Sequence, residues 1–254
     1  MNELAVVWTG PDLVGVTKPP GLSCFPLHAD RDGEGDCVLR RLLVQFPEQA
    51  EPAWPLGFAG GIAHRLDIST SGLLLVARSV PALAALRTRF SDRRLRKEYR
   101  FLTARNPPWD HNVVDRPIAH AHRRKGRVVV QRGKNTPHRG RWREARTEFI
   151  RVGPVDGGLW MWRAVMHTGV MHQIRVHAAF VGLALAGDRN YGGGALDIER
   201  PDRVGFALHH HHLRSSDLSP TAVELPEWWP CLLSEAPAPP PDPPDRARGR
   251  RRGR

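Results

Sequence analysis

Residues 73–77 limit the folds open to this chain more than any other segment. This run, LLLVA, is apolar throughout and follows a Thr-Ser-Gly turn. A short apolar run bounded by turn residues is typical of a strand buried within a sheet. Ser79 then stands as a helix N-cap with Pro81 in the first turn, which predicts a helix ending near Arg94. The sequence therefore predicts a sheet with a buried strand and a helix directly after it.

Strand and helix patterns recur along the rest of the chain. Apolar runs predict further strands at residues 4–8, 13–17, 99–103, 145–152, 159–165 and 206–215. Asp36 is a candidate cap for a helix ending near Phe46, and another helix is predicted from Met171 to about Val181. Residues 47–61 are rich in Pro and Gly and predict a loop. These elements favour one α+β domain with a mixed sheet over residues 1–235.

Positive charge is concentrated in three segments of the 254-residue chain, whose formal net charge is +12. Residues 87–100 carry +5, residues 121–146 carry +9 and residues 236–254 carry +4, so the remainder has a net charge of −6. Such blocks indicate a polyanionic partner, with nucleic acid the leading candidate and a merely solvated basic face the alternative. Residues 105–146 are interpreted as an exposed basic arm, broken only by a strand-like run at 127–131. The Pro- and Arg-rich tail at 236–254 is expected to be disordered.

Several classes of protein lose support from the sequence. No apolar run approaches the roughly 20 residues that a membrane helix needs, and the N-terminus does not resemble a signal peptide. Three distant cysteines make a disulfide framework or a cysteine zinc site improbable, so a reducing cytoplasm is the expected location. The four histidines at 209–212 would alternate between the two faces of a strand, which argues against a shared metal ion. Nucleotide-binding and hydrolase motifs are missing, and we expect no cofactor, no metal and a monomer.

Asp67 is the candidate catalytic carboxylate. It precedes the buried strand and lies among His64, Arg65 and small hydroxyl residues, where neighbouring cations favour an ionised nucleophile or base. The alternative is that Asp67 only closes a turn. In a helix starting at Met171, His172 and Arg175 would share a face, and an arginine there could orient the aspartate. Tyr99 could stack on a base or simply pack in the core.

Taken in order, these segments resemble the RluA-type pseudouridine synthases. The matching motifs are Lys18-Pro19-x-Gly21-Leu22, His64-Arg65-Leu66-Asp67-x-x-Thr70-Ser71-Gly72-Leu73-Leu74, Lys97-x-Tyr99, Thr168-Gly169-x-x-His172-Gln173-Ile174-Arg175-Val176-His177, Gly187-Asp188-x-x-Tyr191-Gly192 and Leu208-His209. They span about residues 4–215. The resemblance implies a pseudouridine-synthase-like catalytic domain whose mixed, mainly antiparallel sheet is flanked by helices, without the N-terminal accessory RNA-binding domain of many relatives.

The resemblance also implies an RNA uridine isomerase acting on rRNA or tRNA, with roles for individual residues. Asp67 would be the essential catalytic residue and Arg175 its partner. Tyr99 would pack against the flipped uracil and assist proton removal from C5, while Arg65 would displace the target base from its stack. Further substrate- and RNA-binding residues are expected within the same motifs: His64, Thr70, Lys97, His172, Gln173, Ile174 and Leu208.

Five positions in three segments depart from the family pattern. Val170 and Met171 stand where the family has Arg and Thr, so one cation that contacts RNA is missing. Ile68 and Ser69 replace a pair that often includes a charged residue and Asp, and His210 replaces the usual Ala. These departures leave open a second function, that of a non-catalytic RNA-binding or RNA-folding protein on the same scaffold.

Overall fold

The computed structural model describes residues 3–27, 35–92, 94–201, 204–215 and 221–233. It contains twelve strands and three α-helices within those ranges. The strands are β1 (Ala5–Thr9), β2 (Leu13–Lys18), β3 (Ser71–Ala77), β4 (Arg96–Thr103), β5 (His111–Asp115), β6 (Ile118–Ala121), β7 (Val128–Val130), β8 (His138–Arg143), β9 (Arg146–Val155), β10 (Leu159–Met166), β11 (Leu208–Arg214) and β12 (Thr221–Ala222). The helices are α1 (Val38–Gln45), α2 (Val80–Ser91) and α3 (Gln173–Phe180).

The main sheet is mixed and mostly antiparallel, as the sequence predicts. Its order is β1-β2-β3-β11-β4-β10-β9-β5, and β12 pairs with β11. Only the contact between β11 and β3 is parallel, and it brings a late strand between two early ones. The segments Thr70-Ser71-Gly72 and Leu208-His209-His210 are more than a hundred residues apart in the sequence, and this pairing sets them side by side at the centre of the sheet. The α+β fold class is confirmed.

Strand β3 is the buried strand that the sequence predicts. All seven of its residues are buried. Their side chains divide between two apolar clusters on the two faces of the sheet, with Leu74 and Val76 in one and Leu73 and Leu75 in the other. Because both faces of the sheet are covered here, the sequence of β3 is a continuous apolar run and does not alternate between apolar and polar residues. Ser79 caps α2 by accepting a hydrogen bond from the Ala82 N–H at 3.2 Å, which confirms the predicted cap.

The structure corrects the predicted starts of the other two helices, α1 and α3. Asp36 does not cap α1; the N-cap position belongs to Cys37, while Asp36 accepts a 2.9 Å hydrogen bond from Arg41 Nε on the helix surface. Helix α3 begins at Gln173 instead of Met171. His172 is its N-cap and has a left-handed backbone, so it does not share a helical face with Arg175. The interpretation of residues 47–61 as a loop holds apart from two short 3-10 turns.

The basic arm is more ordered than the sequence indicates. The interpretation that only one strand-like run interrupts residues 105–146 is wrong, because four strands lie there. Strand β5 joins the edge of the main sheet, whereas β6, β7 and β8 form a separate three-stranded antiparallel sheet. This small sheet packs through Ile118 and Val128 onto Val176 of α3. The arm is thereby attached to the helix that carries Arg175. The predicted tail at 236–254 lies outside the described residues.

Candidate active site

Asp67 lies in the turn that leads into β3. The turn is closed by a 3.0 Å hydrogen bond from the Thr70 N–H to the Asp67 carbonyl oxygen. On its outer side the ammonium of Lys18 donates to the Ile68 carbonyl at 3.0 Å and to Leu22 at 2.8 Å. Lys18 is fully buried, and desolvation lowers its pKa to about 8. The loop after β2 is therefore tied to the residue that follows Asp67, which fixes the backbone of the candidate carboxylate.

Arg175 joins Asp67 to a second carboxylate. From the first turns of α3, its Nη1 donates to Asp67 Oδ2 at 2.9 Å. Its Nε and Nη2 donate to the two oxygens of Asp188 at 2.7 and 2.9 Å. The Asp188 side chain is 1% exposed and that of Arg175 is 5% exposed, whereas the Asp67 side chain is 31% exposed. A planar guanidinium held along one edge by a buried carboxylate thus presents one fixed N–H to the accessible carboxylate.

His172 approaches the same oxygen of Asp67 from the side. Its Nε2 lies 3.7 Å from Asp67 Oδ2, and its Nδ1 lies 2.9 Å from the Tyr191 hydroxyl. That hydroxyl accepts the N–H of Val128 at 3.1 Å, so its own hydrogen is left for His172 Nδ1. Burial lowers the pKa of His172, against the opposing pull of Asp67. In the tautomer in which the Tyr191 hydroxyl donates to Nδ1, the neutral imidazole carries its hydrogen on Nε2, on the side that faces Asp67.

His172 also carries backbone strain. Its φ of 53° is the one positive value among the described residues other than glycine. A bulky residue in this region costs on the order of 1–3 kcal/mol and persists only where the surroundings hold it. The Tyr191 hydroxyl, which contacts both His172 and Val128 of the arm, supplies that support. The strained residue therefore lies where the arm meets the candidate carboxylate.

Gln173 is buried and bonded within the protein. Its amide nitrogen donates to the Arg146 carbonyl at 3.0 Å and to the Thr147 hydroxyl at 2.9 Å. Its amide oxygen accepts from the Thr168 hydroxyl at 2.8 Å. Because both ends of the amide are occupied, the geometry gives Gln173 a structural part, joining the start of α3 to β9. Ile174 and Leu208, two further predicted substrate-binding residues, lie in the main apolar cluster.

Tyr99 lies on β4 among the apolar side chains of the main cluster and is 5% exposed. Its ring stacks on the imidazole of His210, with centroids 4.6 Å apart and planes 20° apart. Burial raises the pKa of the Tyr99 hydroxyl, and the negative charge of Asp67 acts in the same direction. The phenol therefore stays protonated near neutral pH.

His64 is half-buried and packs behind this pair. Its ring meets His210 edge-on with centroids 5.5 Å apart, and its Nε2 accepts the Leu75 N–H at 3.2 Å. Burial lowers its pKa well below the usual value, so the ring is neutral. Thr70 is buried, whereas Arg65, two residues before Asp67, is exposed. Arg65 is the most accessible of these residues to a bound nucleic acid.

A cleft of about 610 Å³ opens between α2 and strand β8 of the arm. Its walls are basic and aromatic, and they include Phe58, His64, Arg87, Phe90, Lys97, Arg141, Trp142, Arg143, Glu144 and His167. Lys97 lies over the Phe90 ring at 4.5 Å, and burial lowers its pKa to about 8. Cations interleaved with aromatic rings suit the phosphates and bases of a single strand. Asp67 does not line the cleft. Its wall does include His64 and Val170, each of which lies within three residues of a side chain at the Asp67 site.

The departures from the family pattern cluster around Asp67. Val170 packs against the apolar cluster of the arm. Met171 is 39% exposed where the family has Thr, and Ile68 is 42% exposed where a charged residue is common. Ser69 accepts the Gly205 N–H at 2.9 Å and thereby holds the segment before β11.

Two residues that contact the site have no role predicted from the sequence, the buried Asp188 and the half-buried Tyr191. Both belong to the Gly187-Asp188-x-x-Tyr191-Gly192 motif, which by itself indicates only the resemblance. The signal available was the presence of a carboxylate and a phenol in one short glycine-bounded motif. Nothing in the spacing tells which distant side chains they contact.

No group of three or more metal-ligating side chains occurs among the residues that the structure describes. In the histidine run, His209 and His211 both approach the Val223 carbonyl oxygen, while His210 turns to the opposite face. Within the same described ranges, no helix combines the length and apolar character needed to cross a bilayer.

Comparison with known proteins agrees with this geometry. A sequence model described as RNA pseudouridylate synthase matches residues 12–180. The ribosomal large subunit pseudouridine synthase D of Haemophilus ducreyi is 34% identical over 191 residues, covering 75% of this chain and 53% of the relative. The protein of that name from Yersinia pestis is 33% identical over 221 residues, covering 83% and 62%. The chain thus spans a little more than half the length of these relatives.

Solved structures show the same fold. Human RNA pseudouridylate synthase domain containing 1 superposes with a TM-score of 0.68 at 23% identity, covering 92% of this chain and 91% of that one. Human RNA pseudouridylate synthase domain containing 4 gives a TM-score of 0.63 at 22% identity, covering 88% and 89%. The agreement extends over nearly the whole length of all three chains.

Proposed function

Because this chain belongs to the RNA pseudouridylate synthase family, we propose that it converts uridine to pseudouridine in RNA. The observation that carries this proposal is the arrangement at Asp67. A carboxylate that remains about one-third exposed accepts a 2.9 Å hydrogen bond from Arg175 and faces the Nε2 atom of His172. Such a group is held in a fixed orientation, yet a substrate can still reach it.

The reaction breaks the bond between the sugar C1′ and N1 of uracil and forms a bond between C1′ and C5. The hydrogen on C5 is lost as a proton, and N1 gains one. In the proposed assignment Asp67 attacks or deprotonates the nucleoside, and Arg175 orients it. The target base must first leave its stack, at a cost of a few kcal/mol when it is paired. Arg65, which is exposed, is assigned to take over the position that the base leaves.

Tyr99 is assigned to packing against the flipped uracil. Its hydroxyl stays protonated because burial raises its pKa, so the phenol is poorly suited to take the C5 proton itself. The aromatic ring offers the base a flat face next to Asp67. Lys97 contributes positive charge at the neighbouring cleft, whereas His64, Thr70, Gln173, Ile174 and Leu208 shape the site from within the protein.

We propose structured RNA as the partner, with rRNA favoured over tRNA because the relatives described above are named for the large ribosomal subunit. The basic and aromatic cleft and the arm support an RNA substrate. The chain would act as a monomer without cofactor or metal, since isomerisation needs neither a redox step nor a group donor. A cytoplasmic location fits the three free cysteines.

The test is pseudouridine formation in total RNA from a strain that lacks the gene. We expect wild-type protein to restore one or more pseudouridines in that RNA and Asp67→Asn to restore none while still binding RNA. Asp115→Asn, which alters an exposed carboxylate paired with Arg146, is the matched control and should behave as wild type. Full restoration by Asp67→Asn would instead favour the non-catalytic RNA-binding or RNA-folding function.

A further inference from the structure

His210 lies directly behind the tyrosine of the candidate site. Its side chain is 0% exposed, on β11 at the register position opposite Tyr99 of β4. The two rings are nearly parallel, 20° apart, with centroids separated by 4.6 Å. The usual residue of the family motif at this position, alanine, would leave that face of Tyr99 without an aromatic partner.

The imidazole of His210 is itself held from two other directions. Its Nδ1 donates to the Leu73 carbonyl on β3 at 2.6 Å. The His64 ring meets it edge-on at a centroid distance of 5.5 Å. Burial lowers the pKa of His210 to about 3, and the positive charge of Lys97 acts in the same direction. The ring is therefore a neutral aromatic group with a fixed plane.

Tyr99 has no comparable fixation of its own. Among the described residues its hydroxyl makes no hydrogen bond, so packing alone sets the plane of its ring. A flat neighbour in parallel contact restricts the tilt of an aromatic ring more than aliphatic neighbours do, because aromatic pairs have a preferred offset geometry. The ring most able to set the plane of Tyr99 is that of His210.

We propose that His210 is a positioning residue that holds the ring of Tyr99 in the plane required for stacking on the flipped uracil. This inference rests on the proposed function, in which Tyr99 contacts the base. In the proposed arrangement the flipped uracil stacks on one face of the Tyr99 ring, and the His210 ring stacks on the other face. Since a misplacement of about 1 Å at a reacting centre can cost about a hundredfold in rate, loss of the platform should appear in kcat.

Three substitutions distinguish the effect of a flat ring at position 210 from the effect of side-chain volume alone. His210→Ala removes the ring, His210→Leu keeps a similar volume without a flat face, and His210→Phe keeps a flat face without the hydrogen bond to Leu73. His211→Ala is the matched control, because His211 is a half-buried neighbour on β11 that also bonds to a backbone carbonyl, that of Val223 at 2.7 Å. Each variant is assayed by tritium release from C5-labelled uridine in RNA.

We expect His210→Ala and His210→Leu to lower kcat about tenfold with KM within about twofold of wild type, since the platform acts on the reacting geometry and not on RNA binding. His210→Phe should recover kcat to within about threefold of wild type, and His211→Ala should equal wild type. Wild-type kcat in the Leu variant would overturn the proposal. A Phe variant as slow as the Ala variant would also overturn it.

Fluorine NMR tests the positioning without requiring activity. The chain has only two tyrosines, Tyr99 and Tyr191, so 3-fluorotyrosine labelling gives signals that Tyr191→Phe assigns. We expect slow ring flips of Tyr99 in wild type and His210→Phe, and fast flips in the Ala and Leu variants. Unchanged Tyr99 signals in all variants would refute the positioning role. An inactive wild type with the expected flips would refute the proposed function alone.

Discussion

Asp188→Asn tests whether the second carboxylate anchors the arginine of the site. Asp188 is buried and accepts two hydrogen bonds from Arg175, at 2.7 and 2.9 Å. Asparagine keeps the shape of the side chain, but it removes the negative charge and turns one acceptor oxygen into a donor that faces the guanidinium. Removing one partner of a buried ion pair costs about 3–5 kcal/mol. Because Arg175 retains Asp67, we expect the lower end, about 3 kcal/mol of unfolding free energy.

The stability change translates into a measurable shift of the thermal midpoint. For a domain of this size each kcal/mol corresponds to about 2–4 °C, so Asp188→Asn should lower Tm by about 6–12 °C. The activity should fall further than the folded fraction does. Without its two-point anchor, Arg175 no longer presents Nη1 to Asp67 at 2.9 Å, and a displaced orienting group can cost about a hundredfold in kcat.

The assay combines thermal unfolding with tritium release from C5-labelled uridine, measured under single turnover below the Tm of the variant. Asp115→Asn is the control, because that carboxylate is 67% exposed and its pair with Arg146 should be worth less than about 1 kcal/mol. The double variant Asp188→Asn with Arg175→Met should be less destabilised than the sum of the two single changes, since the second change removes the stranded charge. A wild-type Tm and kcat in Asp188→Asn, or strict additivity, would refute the reasoning.

Three further predictions concern the pH dependence of stability, a glycine packed against the backbone of a neighbouring strand, and the salt dependence of RNA binding. Burial lowers the pKa of His177 to about 4, so between about pH 6.5 and 4 the unfolded state binds more protons than the folded state. The stability that His177 contributes above pH 6.5 should be lost as the pH falls, by about 2 kcal/mol at pH 5. Denaturant titrations at several pH values measure this loss, and His177→Gln should reduce it. Gly72→Ala should cost more than about 3 kcal/mol or prevent folding, because Gly72 has φ +109° and a Cβ would overlap the backbone of β11. Arg141→Ala with Arg143→Ala should lower the log–log salt slope of RNA binding by about 1.4, whereas Arg105→Ala beyond the far end of β4 should leave it unchanged.

Local chemistry made part of this fold predictable. Strand β3 and the Ser79 cap of α2 depend on short-range rules, namely a fully apolar run between turn residues and a hydroxyl placed before a proline. The strands of the arm are harder to predict because they are only three to six residues long, and because β8 is largely exposed with five of its six residues basic or aromatic. Such strands form because they pair with neighbours and pack on α3, which is information that a local pattern does not contain.

The start of α3 shows the same limit at the site itself. The apolar and polar spacing predicts a helix through His172, yet the residue adopts a left-handed conformation. The contacts that hold it there come from Tyr191 and, through the same hydroxyl, from Val128 of the arm. A strained conformation is maintained by distant partners, so helix propensity alone places the boundary wrongly.

The sequence by itself determined the order of the motifs, the family and the candidate carboxylate, because these depend on residue identity along the chain. The resemblance also implied that Arg175 pairs with Asp67, and the structure confirms that contact. Only the tertiary structure showed that Asp188 holds the other side of Arg175 and that His210 lies against Tyr99. For His210 the physical reason is the antiparallel pairing of β11 with β4, which sets it opposite a residue 111 positions earlier in the chain. Long-range pairing of this kind depends on the packing of the whole sheet.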